Sequence, residues 1–222
     1  MSLMGNSYKI NKYIKSFSKY GIRLLPPDVN KSRALFSVDG KDVRFGLAAL
    51  KGVGLKFPND IETERAQGEF KSFADFLNRM ADYGINRRCC ETLIKCGAFD
   101  SLNKNRRALL LVYDVMLDCA IQDAKLISGG QQSLFDAAGE QSGATDSMIN
   151  EKQTDFTHEQ KLAFEKEYAG MYLSGHPLEK YRHIVKAYTT DDIYTILDGK
   201  NNDGLKVRLC GIISSPEQRR TK

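Results

Sequence analysis

Two short stretches of this chain have the residue types to hold a phosphate. In the first, Leu47-Ala48-Ala49-Leu50-Lys51-Gly52-Val53-Gly54, an apolar helical run enters Gly-Val-Gly, and a further helix can follow through Ile61 to Arg65. Glycines permit a reversal too tight for a side chain and let an anion come close to the backbone. Free N–H groups at the start of the following helix, together with its dipole, favour that anion. Val53, between the glycines, is expected to point inward and pin the turn. A second, looser copy is Leu93-Ile94-Lys95-Cys96-Gly97-Ala98-Phe99, which leads into Asn103-Lys104-Asn105-Arg106-Arg107. It too reads helix, glycine turn, helix. A grip of this kind holds the phosphate backbone of a duplex and carries little sequence preference. One Gly-x-Gly also serves as a plain turn, so the expectation rests on the tandem arrangement.

Charge gives both turns a partner. The net charge of +5 is mild, but Arg87, Arg88, Lys95, Lys104, Arg106 and Arg107 gather in one stretch opposed only by Glu91 and Asp100. Such a cluster can neutralise phosphates; a solvated basic face is the alternative. The candidate DNA-binding residues are therefore Lys51, Gly52, Val53 and Gly54 in the first hairpin, and Lys95, Gly97, Lys104, Arg106 and Arg107 in the second. Pro58 falls in the first turn of the helix after Gly54 and has no N–H to give a phosphate. The second hairpin is accordingly expected to carry more of the grip, with Arg106 and Arg107 mattering more than residues near Pro58.

Other chemistry finds little support. The five cysteines (Cys89, Cys90, Cys96, Cys119, Cys210) form no CxxC pair, and the histidines (His158, His176, His183) lack ligand spacing. Neither a disulfide framework nor a metal site is indicated, and the thiols are expected to be free. Asp191-Asp192 reads as a helix cap or exposed acid pair. No catalytic residue and no cofactor are assigned. A hydrophobic fraction of 41% and a charged fraction of 27% are ordinary for a soluble protein. With no apolar run long enough to span a bilayer, no membrane association is expected, and the setting is expected to be cytoplasmic.

The elements that must place these residues are mainly helical. Ile10, Ile14 and Phe17 share a helix face ahead of Gly21, and Pro26-Pro27 then enforces an extended segment. Ala34–Val38 and Val43–Leu47 flank Asp39-Gly40, a hairpin-turn dipeptide. Ser72 can cap a helix with Phe76, Leu77 and Met80 inside and Gly84 at its end. Asn86 can cap another that buries Leu93 and Ile94. A helix from about 103 to 124 carries Leu109, Tyr113, Met116, Leu117 and Ala120 on one face. From Gly129 to about Thr157 the periodicity fails, and a flexible loop or linker is expected. A helix near His158–Met171 follows, broken by Gly175-His176-Pro177. Val207, Leu209, Gly211 and Ile213 then alternate as a strand would, as if an all-β domain began there.

Gly21-Ile22 with Leu25-Pro26-Pro27-Asp28-Val29-Asn30, Arg44-Phe45-Gly46-Leu47 with Lys51-Gly52-Val53-Gly54, and Leu93-Ile94 with Gly97-Ala98-Phe99-Asp100 occur in an order that closely resembles the alpha subunit of bacterial DNA polymerase III. Gly170-Met171-Tyr172-Leu173-Ser174-Gly175-His176-Pro177-Leu178 resembles the stretch that leads to that family's oligonucleotide-binding barrel. The resemblance implies the end of a fingers domain at 5–33 and a tandem helix-hairpin-helix domain holding duplex DNA at 34–125. It further implies a flexible clamp-binding loop at 126–157, a helical linker at 158–200 and the start of the barrel at 201–222. The fold class is then mainly α, with a small β-hairpin and a truncated β segment at the C-terminus. The family's catalytic palm, where Mg2+ would act, and its histidinol-phosphatase-like domain lie upstream of these segments, so this portion is expected to be non-catalytic within a DNA-directed DNA polymerase.

The resemblance also gives meaning to Gln131-Gln132-Ser133-Leu134-Phe135, which matches the family's sliding-clamp motif in the form Gln-x-x-Leu-Phe. Leu134 and Phe135 would fill an apolar pocket on the clamp, and the Gln131 amide would both donate and accept hydrogen bonds at its rim. The implied partners are duplex DNA, the sliding clamp (beta subunit) and, through the parent polymerase, other replisome subunits, in a bacterial cytoplasm. A helix-hairpin-helix module of DNA repair, or a protein-interaction module without DNA contact, are the alternative readings; the former would need nuclease, glycosylase or ligase residues of its own.

Overall fold

The structure, a computed structural model, describes residues 20–128, 144–191, 196, 204 and 206–212. The first expected helix, around Ile10 to Phe17, lies outside them. The described chain divides between Ser174 and Gly175 into two compact units.

The first unit opens with a three-stranded sheet in the order β1 (Leu24–Leu25), β3 (Asp42–Arg44), β2 (Ser37–Asp39). β2 and β3 are antiparallel, with Val38 opposite Val43 and Asp39 opposite Asp42. The two loop residues are thus Gly40 and Lys41, one position later than the Asp39-Gly40 expected from sequence, and Gly40 supplies the positive φ of 62°. β1 joins parallel to β3, a pairing that the Pro26-Pro27 signal did not reveal. Its anchor is Asp42, which accepts hydrogen bonds from the Arg23 backbone N–H at 2.9 Å and from Nη2 at 2.6 Å.

The helices follow: α1 (Lys56–Arg65), α2 (Phe73–Met80), α3 (Arg87–Lys95), α4 (Arg106–Ser128) and α5 (His158–Tyr168). The expected caps are made. Ser72 accepts from the Asp75 N–H and Asn86 from the Cys89 N–H, each satisfying a donor that the helix leaves open. Gly84, at φ 75°, ends the short 3-10 turn that follows α2. One expectation fails: Leu47–Ala49 is a single 3-10 turn and not a helix. Its first N–H groups are already engaged by the carbonyls of Arg33 and Ala34, and Gly46 is pressed against the backbone of Leu35 and Phe36. A side chain at Gly46 would collide with that backbone.

One core runs through the unit. Phe73, Phe76 and Phe99 meet edge to face, with ring centroids 4.8–4.9 Å apart, and Leu77, Met80, Leu93, Ile94, Leu109 and Met116 close around them. The apolar face of α4 is thus core, as its spacing implied. The segment expected as linker is different from expectation where it is described. Ala144 and Ile149 are buried in the same core. Ala144 exchanges two hydrogen bonds with the Asn78 side chain, and Asp146 accepts from the Ala74 N–H at 3.0 Å, so residues 144–157 dock on α2 and α4. Polarity misled here because this segment is held by side-chain amides and carboxylates more than by apolar periodicity.

The second unit contains a 3-10 turn at Glu179–Tyr181 and α6 (Arg182–Tyr188). Residues 206–212 are exposed and without strand, contrary to expectation. Arg208 exchanges hydrogen bonds with Thr190 only, too little for a ladder among the described residues.

Candidate nucleic-acid interface

The first hairpin is built for approach from outside. Lys51 is fixed through its backbone: its N–H donates to the Tyr168 carbonyl at 2.8 Å, and its carbonyl accepts from the Thr92 hydroxyl. The chain then turns through Gly52 at φ 82° and Gly54 at φ 69°, values that L side chains rarely adopt. Val53, 7% exposed, reaches into the core between them and pins the turn. A Cβ on Gly54 would meet nothing within 4 Å, so the backbone there is open to a ligand. α1 begins at once, and its N-cap is Leu55, whose side chain accepts no capping hydrogen bond. The N–H groups of Lys56 and Phe57 have no acceptor within the helix, by helix geometry. Pro58, third in the helix, takes away one donor of that turn and leaves these two.

The cations beside this turn are Lys51 and Arg88. Both side chains are exposed and form no ion pair among the described residues. Arg88 comes from the first turn of α3, and its Nε lies 3.2 Å from where a Cβ of Gly52 would stand. Sequence reasoning missed Arg88 as a site residue although it saw the cluster. Adjacent residues on a helix point about 100° apart, and only packing decides between Arg87 and Arg88. Arg87 turns to α4 and binds Asp114 at 2.5 Å and Asp118 at 2.6 Å. Arg88 turns to Gly52.

The second hairpin has the expected outline and a different interior. Gly97 takes φ 79° between α3 and the turns that precede α4. Arg106 was expected at a phosphate. It is instead 3% exposed, with Nη2 2.7 Å from Asp100, Nη1 3.5 Å from Glu165, and a further bond to the Lys95 carbonyl. Burial works against its charge, but the Asp100 hydrogen bonds and the charges of Asp100 and Glu165 outweigh burial and hold it protonated. The guanidinium also fills the space above Gly97, where its central carbon would be 2.6 Å from a Cβ. Gly97 therefore admits Arg106 and not a phosphate. Lys95 is likewise engaged, by Glu91 at 2.6 Å and by the Tyr168 hydroxyl at 3.0 Å. Lys104 and Arg107 remain exposed, the Arg107 guanidinium lying 5.6 Å from the Phe156 ring centre. Of the four basic candidates of the second hairpin, Lys95 and Arg106 are thus engaged within the protein, contrary to the expectation of free cations there, and Lys104 and Arg107 are exposed.

Gln131, Leu134 and Phe135 lie outside the described residues. The described cysteines are free. Burial pushes the Cys89 and Cys96 thiols up to about 12, which keeps them protonated and unreactive. Among the described residues no group of His, Cys, Asp and Glu could hold a metal ion, and no helix is long and apolar enough to cross a membrane.

Residues 21–109, which include both hairpins, match the family model of the helix-hairpin-helix motif. The chain is 38% identical over 213 residues to the DNA polymerase III subunit alpha of Mycobacterium leprae, covering 95% of this chain and 18% of the relative. It is 33% identical over 220 residues to that of Borreliella burgdorferi, covering 99% of this chain and 19% of the relative. The Bacillus subtilis subunit is 33% identical over 221 residues, with 100% and 19% covered. The chain thus spans roughly a fifth of the length of the curated relatives it matches. By these matches and by the paired glycine turns, the chain matches the portion of the DNA polymerase III subunit alpha that contains the helix-hairpin-helix region.

Proposed function

We propose that this chain is the duplex-holding portion of a bacterial replicative DNA polymerase and that it also carries the peptide that tethers the enzyme to its sliding clamp. The observation that supports the grip is the first hairpin: an open glycine turn, an α1 N-terminus without a side-chain cap, and beside it two cations, Lys51 and Arg88, that form no ion pair among the described residues. A phosphate would accept from the Lys56 and Phe57 N–H groups while the two cations neutralise its charge and that of its neighbour. No side chain in this arrangement needs to reach a base edge, so the hold is independent of sequence and strengthens through counterion release.

In this reading polymerase chemistry and its Mg2+ belong to a palm region outside this chain, and no residue here is catalytic. Clamp tethering rests on Gln131, Leu134 and Phe135. A clamp that encircles DNA raises the local concentration of the attached polymerase at the primer end. The two contacts together would lengthen each round of synthesis. Chromosomal replication places this work in the bacterial cytoplasm.

Fluorescence anisotropy with labelled duplex across a salt series tests the grip. Lys51→Ala with Arg88→Ala is expected to weaken binding and to flatten the slope of log affinity against log salt by up to about 0.9 per lost phosphate contact. Absence of binding at low salt would make the chain a protein-interaction module. Leu134→Ala with Phe135→Ala is expected to abolish retention on immobilised clamp and leave duplex affinity unchanged; retained binding would show that another segment is the tether.

A further inference from the structure

The N-terminus of α4 is where a phosphate would sit on the second hairpin, and the chain's own segment already covers it. Of the donors that the first turn of a helix leaves open, the Ala108 N–H goes to the Asn105 side chain at 2.9 Å. The Arg107 N–H goes to the Asp155 carboxylate, 3.1 Å away and 48 residues along the chain. An anion is therefore seated at this helix terminus, in the role that a DNA phosphate would have. Asp155 is held there by an ion pair to Lys161 and by the Phe156 N–H at 2.8 Å. Burial alone would raise its pKa, but Lys161 and the two backbone donors outweigh burial, lower it and keep it ionised.

The rest of the same segment completes the cover. The Gln153 carbonyl accepts from the Asn105 side-chain amide. Phe156 lies under the Arg107 guanidinium and packs edge to face on Phe164, 5.0 Å away. Glu165 reaches the Arg106 guanidinium, and Tyr168 holds the Lys95 ammonium. Four cationic or donor groups of the second hairpin thus face partners from residues 153–168. At the first hairpin, the Tyr168 carbonyl of this segment accepts from the Lys51 N–H at the base of the turn.

We propose that residues 153–156 are an internal cover that occupies the phosphate position at the α4 N-terminus of the second hairpin with the Asp155 carboxylate, so that duplex DNA engages this hairpin only when the cover is displaced. The inference rests on the DNA-holding reading above. Asp155 is suited to exchange because it sits at the edge, with its side chain 24% exposed, whereas Glu165 is fully buried and keeps the fold beneath it closed. Displacement would free the Arg107 N–H and release the Arg107 guanidinium from the Phe156 ring. The second hairpin would then add a contact to those of the first.

The test is a double-mutant cycle on the 222-residue chain, read by duplex anisotropy over a salt series. Asp155→Ala is expected to tighten duplex binding several-fold and to steepen the salt slope by about 0.9 for the added contact. Glu151→Gln, an equal change in charge at an exposed position of the preceding turn, is expected to leave both nearly unchanged. Arg107→Ala is expected to cost affinity in the Asp155→Ala background and little in the unaltered chain. Should thermal melting show Asp155→Ala unfolded, Asp155→Asn, which keeps an acceptor for the Arg107 N–H without the charge, takes its place in the cycle. The proposal is overturned if the Asp155 variants bind duplex as the unaltered chain does, if Glu151→Gln gains as much, or if Arg107→Ala costs the same in both backgrounds. If the unaltered chain binds no duplex, the DNA-holding reading itself fails, which is a distinct result.

Discussion

Gly52 and Gly97 have nearly the same φ and very different surroundings. Around Gly52 the nearest atoms belong to Arg88, an exposed side chain free to swing away. Around Gly97 they belong to Arg106 and Asp100, locked in a buried ion pair. Either glycine replaced by alanine bears the left-handed backbone penalty, about 1–2 kcal/mol. Gly97→Ala must in addition push the Arg106 guanidinium off its partners. Urea denaturation is expected to show a clearly larger fall in midpoint for Gly97→Ala than for Gly52→Ala. Equal falls would mean that Arg106 relaxes without cost. For duplex binding the order is expected to reverse, since only Gly52 borders the open turn.

Among the elements, the small sheet is reinforced by one carboxylate. β1 has two residues, and beside the ladder bonds from the Val43 and Phe45 N–H groups its place next to β3 is reinforced by Asp42 gripping Arg23 through backbone and guanidinium. The Arg23 hydrogen bonds hold the Asp42 carboxyl below the ordinary carboxylate range. The sign of the pH effect follows. A depressed folded-state value stabilises the fold above the unfolded value, near 3.9, and that contribution is lost as pH falls through the folded value. Asp42→Asn is therefore expected to lower the melting temperature at pH 7, with the gap to the unaltered chain closing as the pH is taken well below 4. A gap independent of pH would assign the effect to packing. Exposure of Arg23 keeps the contribution modest.

At the scale of the whole first unit, Glu165 is the joint. Oε2 accepts from the Leu173 and Ser174 N–H groups at 2.8 and 2.9 Å, and Oε1 faces Arg106. One buried carboxylate thus ties α5 to the start of α4 and to the last residues before the division at Gly175. Removing one partner leaves the other charge buried, a loss of about 3–5 kcal/mol. Glu165→Ala is expected to lower the denaturation midpoint by that measure and to expose the chain near Ser174 to limited proteolysis. Unchanged stability would show that Asp100 alone satisfies Arg106.

Much of this was legible in the linear chain. Ser72 and Asn86 announced the starts of α2 and α3, because a side-chain acceptor before an apolar run satisfies the donors that a helix leaves open. The spacing of Leu109, Met116, Leu117 and Ala120 announced the buried face of α4, and the paired glycines with Val53 between them announced the first hairpin. Local chemistry and periodicity suffice for such features. They could not say which cations face outward. Arg87 and Arg88 are neighbours, as are Arg106 and Arg107, and in each pair one is held by carboxylates while the other forms no ion pair among the described residues. That choice depends on Asp114, Asp118, Asp100 and Glu165, groups up to 59 residues away in the chain. The sequence alone determined that there are two glycine hairpins with basic residues beside them. Tertiary packing decided that the first stays open while the second is filled by Arg106 and capped by Asp155, because a buried charge must find its counter-charge wherever the fold brings one within reach.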